Sequence, residues 1–370
     1  MTHPSFPNEL PEILAGFATE GVYQNAAPYG NGHINDTYVV NYKLGENGSK
    51  RYIAQKINDN VFKNVAALME NIDRVTSHLR QKSESTGREL RIVPSNNSAS
   101  HLRDDQGGWW RLYDFIEGAH TVDRVTNEAQ ARETALAFGN FQASLADLPG
   151  KRLKETIPNF HHTRSRFENF RQAAEADTVG RATEVRTEID FAFSREADVD
   201  VLLNLLTEGK ISERVTHNDT KINNVMLDDQ THRAVAVIDL DTVMPGLPLY
   251  DFGEMVRTSC SSTDEDDPKP ENMHFELPYF RALVEGYLAS EVGSVLNPTE
   301  REHLGFAGKL MTYENGLRFL TDYLQGDTYY KVAHTQHNLD RTRTQFSLMR
   351  SIEEQTDVMS AIVAEVHSTA

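Results

Sequence analysis

Hydrophobic residues alternate with polar ones in the first third of the chain, and this spacing predicts β structure. The strands expected from the alternation cover residues 21–27, 38–42, 51–57, 91–94 and 108–113. Between the third and fourth of these strands, apolar residues recur every three or four positions, which predicts a helix over residues 61–82. The first third of the chain is therefore expected to form a sheet accompanied by one helix.

Helical spacing dominates after residue 127. Predicted helices cover residues 131–145, 164–176, 184–206, 275–290 and 345–366. A further long helix is expected after Asn297, with apolar positions running from Leu310 to Leu324. Because 370 residues exceed one ordinary core, we expect two lobes, 1–117 and 118–370, in an α+β fold.

Charge and composition narrow the function classes. The net charge is -18, which argues against a nucleic-acid partner because phosphate backbones require basic surfaces. It does not exclude ATP, since one magnesium ion and a few directed donors can offset its phosphates locally. Residues 1–21 lack a signal-peptide pattern, and no apolar run reaches the length of a membrane span. Cys260 is the single cysteine, so we expect a cytoplasmic protein without an intrachain disulfide; a monomer is compatible with the sequence, which leaves the oligomeric state open.

The clearest chemical pattern lies between Thr216 and Asp241. His217, Asp219 and Asn224 form the string H-x-D-x-x-x-x-N. An isolated H-x-D is common in surface loops, but here a predicted hairpin follows (strands 225–227 and 234–240) and ends at I-D-L-D. Phosphotransferases of the kinase type need a group that accepts the proton of the attacking hydroxyl, and oxygen ligands for magnesium on ATP.

The hairpin is expected to fold Asp239 back beside Asn224, where both oxygens can reach one hard cation. Asp241 is two residues further on and is expected on the same strand face, about 7 Å from Asp239. That position suits either a second metal ligand or a structural carboxylate.

This string resembles the catalytic and metal-binding segments of the aminoglycoside phosphotransferase and choline kinase-like superfamily. Four segments are similar to those of N-acetylhexosamine 1-kinases, namely G-N-G-H-I-N-D-T-Y, R-V-T-H-N-D-T-K-I-N-N, I-D-L-D-T-V-M-P-G and L-R-F-L-T-D-Y-L-x-G-D-x-Y. The resemblance implies a bilobal protein-kinase-like fold, with an antiparallel sheet and a helix in a small N-lobe and a larger, mainly helical C-lobe. It also implies ATP as co-substrate, Mg²⁺, and phosphorylation of O1 of an N-acetylhexosamine.

By the same resemblance, Asp219 is expected to be the catalytic base, with Asn224 and Asp239 as magnesium ligands. An Asp at position 251 is expected to be structural and to bond back to the catalytic loop, with His217 in a similar bracing role. Asp251 lies in a D-F-G triplet, but it is too far along the chain to be the metal-binding Asp of protein kinases.

The nucleotide is expected to contact the loop between the first two strands and the hinge. Gly30 and Gly32 let backbone N–H groups approach phosphates, and Phe115 and Ile116 lie where the hinge should cover the adenine. The third strand should present a cation, but its register is ambiguous. We favour Gln55 facing the nucleotide, with Lys56 on the opposite side of the strand and in solvent.

The sugar pocket implied by the resemblance is formed by His33, Asn35, Asp36, Arg318 and Tyr329. From the sequence, Arg318 is equally compatible with a surface ion pair to Glu314 or Asp322 and with a ligand contact. Other acceptors, such as choline, homoserine or methylthioribose, stay open, as does a nucleotide-binding scaffold without turnover. The acidic segment 261–272 is predicted to be a mobile loop.

Overall fold

A computed structural model of the protein describes residues 9–30, 34–46, 48–82 and 88–369. The chain forms two compact units. The first unit combines Met1–His120, Asp147–Pro158 and Leu227–Met244, and the second combines Thr121–Ala146, Asn159–Met226 and Pro245–Ala370.

Two helices and seven strands are described up to residue 120. In chain order they are α1 (Leu10–Leu14), β1 (Val22–Pro28), β2 (Asp36–Leu44), β3 (Gly48–Ile57), α2 (Val65–Lys82), β4 (Ile92–Val93), β5 (Leu102–Arg103), β6 (Trp109–Asp114) and β7 (Ala119–His120). The sheet has the order β1-β2-β3-β6-β4, with β5 paired to β6, and its pairs are antiparallel.

The sheet of the first unit has one apolar face and one face that carries polar side chains. On β2 the buried residues alternate, so Tyr38, Val40 and Tyr42 enter a core that also contains Tyr52 and Trp110. The register places Thr37 opposite Gln55, and Gln55 opposite Arg111, so these three side chains share the other face.

The remaining elements are mainly helical. They are α3 (Glu128–Ser144), α4 (Thr163–Ala176), α5 (Arg186–Phe193), α6 (Val201–Thr207), β8 (Arg214–Thr216), β9 (Val225–Asp228), β10 (Ala234–Val237), β11 (Met244–Gly246), α7 (Pro248–Ser259), α8 (Leu277–Ala289), α9 (Pro298–Glu302), α10 (Leu304–Leu324), α11 (His337–Glu354) and α12 (Thr356–Thr369). The predicted α+β fold, with an antiparallel sheet region followed by a helical region, is confirmed. Within the described ranges, no helix is both long enough and apolar enough to cross a bilayer.

Helix α10 is the central element of the second unit. It packs against α4, α7 and α11, and Tyr313, Leu317 and Leu320 enter a core shared with Phe167 and Phe170. Gly316 permits the close approach of α11, since a Cβ atom there would lie 2.5 Å from a ring carbon of Phe346. A helix this deeply buried can position polar side chains rigidly.

Several predicted element boundaries are wrong. The helix expected over 184–206 is divided into α5 and α6, and the one expected over 345–366 is divided between α11 and α12. The second break lets α11 pack on α10 while α12 turns toward α8. Helix α2 begins four residues later than expected, at Val65.

The strand expected over 234–240 is also too long, because β10 ends at Val237. Asp239 has a left-handed backbone (φ 60°), and residues Leu240–Thr242 form a 3₁₀ turn. The prediction that Asp239 and Asp241 share one strand face is therefore wrong.

Candidate active site

The loop after β8 presents Asp219 through a change of backbone direction. Asn218 is left-handed (φ 65°), a conformation that asparagine tolerates better than most residues. The Asp219 side chain is 25% exposed, whereas His217 and Asn218 are buried. The carboxylate is thus accessible at the end of a largely buried loop.

The side chains of Asn224 and Lys221 both contact Asp219. The Asn224 Nδ2 group donates to the Asp219 carbonyl oxygen at 2.8 Å and to its carboxylate Oδ2 at 3.1 Å. The Lys221 ammonium lies 3.3 Å from the same Oδ2 atom. Both contacts are local, and they fix the carboxylate within the loop.

Asp251 lies directly beneath this loop. Its carboxylate accepts hydrogen bonds from the backbone N–H groups of His217 (2.9 Å) and Asn218 (2.7 Å), and from the side chain of Gln142. Thr220 Oγ1 donates to the Asp251 carbonyl oxygen at 2.6 Å. Burial raises the pKa of the Asp251 carboxyl, and the hydrogen bonds from Gln142 and the two amides oppose that shift. These contacts tie the loop to the first turn of α7.

A second connection holds the loop from the other side. His161 Nε2 lies 2.9 Å from the carbonyl oxygen of Asn218, and its Nδ1 lies 2.7 Å from the Glu314 carboxylate. Thr163 Oγ1 donates to the other Glu314 oxygen at 3.0 Å. The residue before Asp219 is therefore linked through His161 to α10.

The loop residues suit a magnesium ion. Because Asn224 uses its Nδ2 group for Asp219, its amide oxygen is the group left for a cation, and amide oxygens suit Mg²⁺. Asn223 Oδ1 in the same turn is buried and without a hydrogen-bond partner. Within the described ranges there is no cluster of three or more His, Cys, Asp or Glu side chains placed to hold a metal. A site here would therefore combine amide and carboxylate oxygens.

Asp241 forms an ion pair and hydrogen bonds with other residues of the first unit. One of its carboxylate oxygens forms a buried ion pair with Arg111, and the other accepts from Asn35 Nδ2 at 2.6 Å. Asn35 Oδ1 in turn accepts from the backbone N–H of Asn58 at 3.0 Å. Thr156 Oγ1 donates to the Asp241 carbonyl oxygen at 2.9 Å. These bonds order the segment that carries Asp239.

Gln55 and Lys56 lie on opposite faces of β3, as strand alternation predicts. Gln55 Nε2 donates to Thr37 Oγ1 at 3.0 Å, and its Oε1 accepts from Arg111 Nε at 2.9 Å. The Lys56 ammonium lies over the Trp110 ring, 6.0 Å from its centroid. Trp110 belongs to the core on the far side of the sheet from Arg111.

The other predicted nucleotide residues are placed as follows. Gly30 has a φ of 76°, and no heavy atom lies within 4 Å of the position of an added Cβ atom. Gly32 and the predicted sugar contact His33 lie outside the described residues. Phe115 stacks under the Arg51 guanidinium, 3.7 Å from its ring centroid, and Ile116 is buried. Asp36 begins β2 opposite Lys56.

Arg318 forms no ion pair or hydrogen bond with any described residue, although Glu314 and Asp322 are each one turn away. Its guanidinium lies over the rings of Phe160 and Tyr330, at 5.4 and 5.7 Å from their centroids. Asp322 instead accepts from the backbone N–H groups of Thr328, Tyr329 and Tyr330, which orders that loop. Tyr329 itself is 63% exposed.

Arg166 accompanies Arg318 in the second unit. It donates through Nε and Nη2 to the carbonyl oxygen of Phe160, at 3.2 and 2.7 Å. Burial, followed by repulsion from Arg318, lowers the pKa of Arg166. Two guanidinium groups therefore stand close together beside Phe160, and no carboxylate of the described residues is hydrogen-bonded to either.

The family model described as "Phosphotransferase enzyme family" matches residues 25–269. The chain belongs to the phosphotransferase enzyme family. The match includes the segments with Asp219, Asn224 and Asp239 and ends before α10, so it does not include Arg318 or Tyr329.

Solved structures with the same fold accompany the family match. An aminoglycoside phosphotransferase from Alicyclobacillus acidocaldarius is similar with a TM-score of 0.57 at 14% identity, covering 100% of this chain and 97% of that one. An amicoumacin kinase in complex with AMP-PNP, Ca²⁺ and Ami has a TM-score of 0.56 at 12% identity, covering 92% and 93% of the two chains. A microcompartment-associated aminopropanol kinase has a TM-score of 0.54 at 15% identity, covering 95% and 98%.

Sequence reasoning missed several polar residues of this phosphotransferase. Lys221 was recognisable as a cation two residues after Asp219 inside the motif itself. Arg111 was recognisable as a lone charge in the apolar run W-W-R-L-Y. His161 and Arg166 carry no local signal, because their partners Glu314 and Arg318 are more than 150 positions away in sequence.

Proposed function

We propose that this phosphotransferase transfers the γ-phosphoryl group of ATP to the anomeric hydroxyl, O1, of N-acetylhexosamines such as N-acetylglucosamine and N-acetylgalactosamine. The observation that carries the kinase part is the loop in which Asp219 is held accessible by Asn224, Lys221 and the Asp251 brace. The four segments that resemble N-acetylhexosamine 1-kinases support the choice of acceptor. The amicoumacin kinase with AMP-PNP supports ATP as the donor.

Asp219 is proposed to orient the acceptor hydroxyl and accept its proton. Its Oδ2 is already bonded to Asn224 and close to Lys221, so rotation of the carboxylate is restricted. A loose phosphoryl transition state asks little of the base, and correct placement therefore contributes more than base strength. Lys221 is proposed to help hold the Asp219 carboxylate in position until the hydroxyl arrives.

Asn224 and Asp239 are proposed to hold Mg²⁺. When bound, the ion would supply positive charge that offsets the phosphates of ATP. Asn224 offers its amide oxygen, since its amide nitrogen is engaged with Asp219. Asp241 is proposed as a structural carboxylate, because Arg111 and Asn35 already bind its two oxygens.

For the nucleotide we propose the face of the sheet that carries Gln55, together with the loop at Gly30 and Gly32 and the hinge at Phe115 and Ile116. For the two lobes we retain the division at residues 1–117 and 118–370. His217 and Asp251 are proposed to brace the catalytic loop, in keeping with the hydrogen bonds of the Asp251 carboxylate.

Arg318 bears on the choice of acceptor. An aromatic cage for a quaternary amine needs unoccupied ring faces. The Phe160 and Tyr330 rings already lie against the Arg318 guanidinium, and Arg166 adds a second positive charge nearby. A cationic amino alcohol would be repelled, whereas the hydroxyl and carbonyl oxygens of an acetylated sugar can accept from Arg318. We propose Arg318, Tyr329, His33 and Asp36 as sugar contacts, with Asn35 acting mainly through Asp241.

The test is an ADP-release screen with ATP and Mg²⁺ over N-acetylglucosamine, N-acetylgalactosamine, choline, homoserine and methylthioribose. We expect turnover with the two acetylated sugars and none with their methyl glycosides, which lack the anomeric hydroxyl. Phosphorus NMR should show coupling to the anomeric proton, and coupling to the C6 protons would refute O1 as the acceptor atom. ATP binding without release of ADP for any acceptor would instead favour the scaffold.

A further inference from the structure

The third strand presents a neutral side chain where kinase-like sheets present a lysine to the nucleotide phosphates. Gln55 has both halves of its amide engaged, with Thr37 and with Arg111. Lys56 is directed to the opposite face, where its ammonium lies over Trp110. Neither Gln55 nor Lys56 therefore supplies a cation to the face on which Gln55 lies.

Arg111 places a positive charge on that face. It is the direct cross-strand partner of Gln55 on β6, and its Nε donates to Gln55 Oε1 at 2.9 Å. Its Nη1 pairs with Asp241, and the side chain is 1% exposed. The remaining terminal nitrogen, Nη2, has no hydrogen-bond partner among the described residues. A guanidinium is always ionised in proteins, so this nitrogen is a charged donor without an acceptor among the described residues.

The charge of Arg111 is next to the segment proposed to hold the metal. Burial opposes the positive charge, but attraction to Asp241 and then to Tyr113 and Asp239 raises the pKa of Arg111 overall. Arg111 is thus close enough to Asp239 to act on it electrostatically within the first unit.

Stability alone does not account for a buried pair of this kind. Replacing a buried ion pair by apolar residues of similar volume is often neutral or stabilising. Here the pair is held by Gln55 on one side and by Asn35 on the other, so its orientation is specified by residues from β3 and from the loop before β2. Such an arrangement suits a positive group, here the Arg111 guanidinium, that has to point in one fixed direction.

We infer that Arg111 is the cation of the nucleotide site, supplied from β6 in place of the usual lysine of the third strand. Gln55 acts as a positioning residue that aligns the guanidinium, and Asp241 orients it from the metal-binding segment. The free Nη2 group is then available to an oxygen of the nucleotide phosphates. This inference rests on the proposed use of ATP but not on the identity of the acceptor.

The experiment measures binding of ADP, with and without Mg²⁺, by isothermal titration calorimetry, so that it does not depend on turnover. The main variant is the double substitution Arg111→Gln with Asp241→Asn, which removes both charges and leaves no unpaired ion in the core. We expect ADP affinity to fall about tenfold or more, since a charge-assisted hydrogen bond is lost. Adding Gln55→Lys to this double variant should restore much of the affinity by returning the cation to the third strand.

Arg103→Gln is the matched control, because it removes one arginine from the same sheet at an exposed position over Trp109. It should leave ADP affinity within about twofold of the wild type. Asp241→Asn alone should weaken ADP binding less than the double substitution does, since Arg111 keeps its charge but loses the carboxylate that orients it. If the double variant does not fold, Arg111→Lys replaces it in the comparison. This variant should bind ADP more weakly than the wild type does, because lysine lacks the planar guanidinium group of arginine.

Thermal melting confirms that each variant is folded before binding is compared. A folded double variant that binds ADP as the wild type does would show that Arg111 is only structural. An equal fall in ADP affinity in Arg103→Gln would show the same. If the double variant does not fold, ADP affinity in Arg111→Lys equal to that of the wild type would also show that Arg111 is only structural. Failure of the wild type itself to bind any adenine nucleotide would instead refute the proposed function.

Discussion

At the scale of single residues, the catalytic loop depends on a few backbone and side-chain choices close together in sequence. The left-handed Asn218 turns the chain, Asn224 bonds back to Asp219, and Asp251 satisfies two loop amides. Each contact helps to fix the orientation of the loop that carries Asp219. Phosphoryl transfer depends mainly on such positioning, because the protein takes little part in the bond changes themselves.

Asp219→Asn tests the proposed base. We expect turnover to fall on the order of 10²-fold or more, because the acceptor hydroxyl loses its proton acceptor and its orienting bond. Nucleotide affinity should stay close to that of the wild type, since Asp219 is proposed to contact the acceptor and not the nucleotide. ADP release and calorimetry measure the two quantities, with the exposed Asp229→Asn as control. Turnover like that of the wild type would remove Asp219 from the catalytic role.

At the scale of elements, α7 and α10 supply both packing and site residues. The first turn of α7 carries Asp251, while α10 carries Glu314 and Arg318 on a helix most of whose other residues are buried. The packing of these helices therefore determines where the loop and the Arg318 side chain lie within the second unit.

Asp251→Ala and Asp239→Ala should have different consequences. Loss of the buried Asp251 acceptor leaves several donors unpaired, at about 1–3 kcal/mol for each, so the melting temperature should fall markedly. Asp239→Ala should lower the melting temperature less than Asp251→Ala does, and it should raise the magnesium concentration needed for activity. Melting curves and magnesium titrations of both variants compare the two roles. A magnesium dependence altered in Asp251→Ala and not in Asp239→Ala would reverse the assignment.

Gly316→Ala tests the contact between α10 and α11. Its Cβ atom would lie 2.5 and 2.8 Å from two ring carbons of Phe346, so one helix must shift. We expect a loss of about 1–3 kcal/mol in the free energy of unfolding, measured with denaturant. Gly305→Ala on the same helix is the control, because its nearest atoms lie 3.7 and 3.8 Å away in ordinary contact. That change should be neutral or slightly stabilising, and equal losses in both variants would contradict the argument.

At the scale of the whole molecule, ionised carboxylates link folding to pH. The hydrogen bond from Arg88, together with those from Thr231 and Gln230, lowers the pKa of Asp228. Burial opposes ionisation of Glu314, but His161 with Arg166 and Arg318 lowers its pKa overall. Burial instead raises the pKa of the Asp251 carboxyl.

The sign of the pH dependence follows from these directions. A carboxyl with a lowered folded pKa binds protons more readily when unfolded, so its stabilisation is complete above the ordinary values of 3.8 and 4.5 and is lost as pH falls below them. We expect the free energy of unfolding to decrease from about pH 5 downward, with Asp251 offsetting part of the loss. Denaturant unfolding at several pH values measures this. In Asp228→Asn the free energy of unfolding should decrease less steeply as the pH falls below about 5. The same pH dependence as in the wild type would contradict the assignment to Asp228.

The sequence by itself determined those features that depend on neighbours along the chain. The string from His217 to Asp239 indicated the phosphotransferase chemistry, strand alternation put Gln55 and Lys56 on opposite faces, and helical spacing located α2, α3 and α10. Local spacing carries such information because a loop of five or six residues or a single strand has few conformations available.

Only the tertiary structure decided which distant side chains meet. Arg111 and Asp241 are 130 positions apart, and His161 and Glu314 are 153 apart. The sequence left Arg318 between an ion pair and a ligand contact. In the structure its guanidinium packs against Phe160 and Tyr330 and forms no ion pair with any of the residues described. The end of β10 at Val237 and the turn at Asp239 likewise follow from bonds that Asp241 makes to Arg111, Asn35 and Thr156. No local pattern encodes these contacts, because each partner lies on an element that only folding brings near.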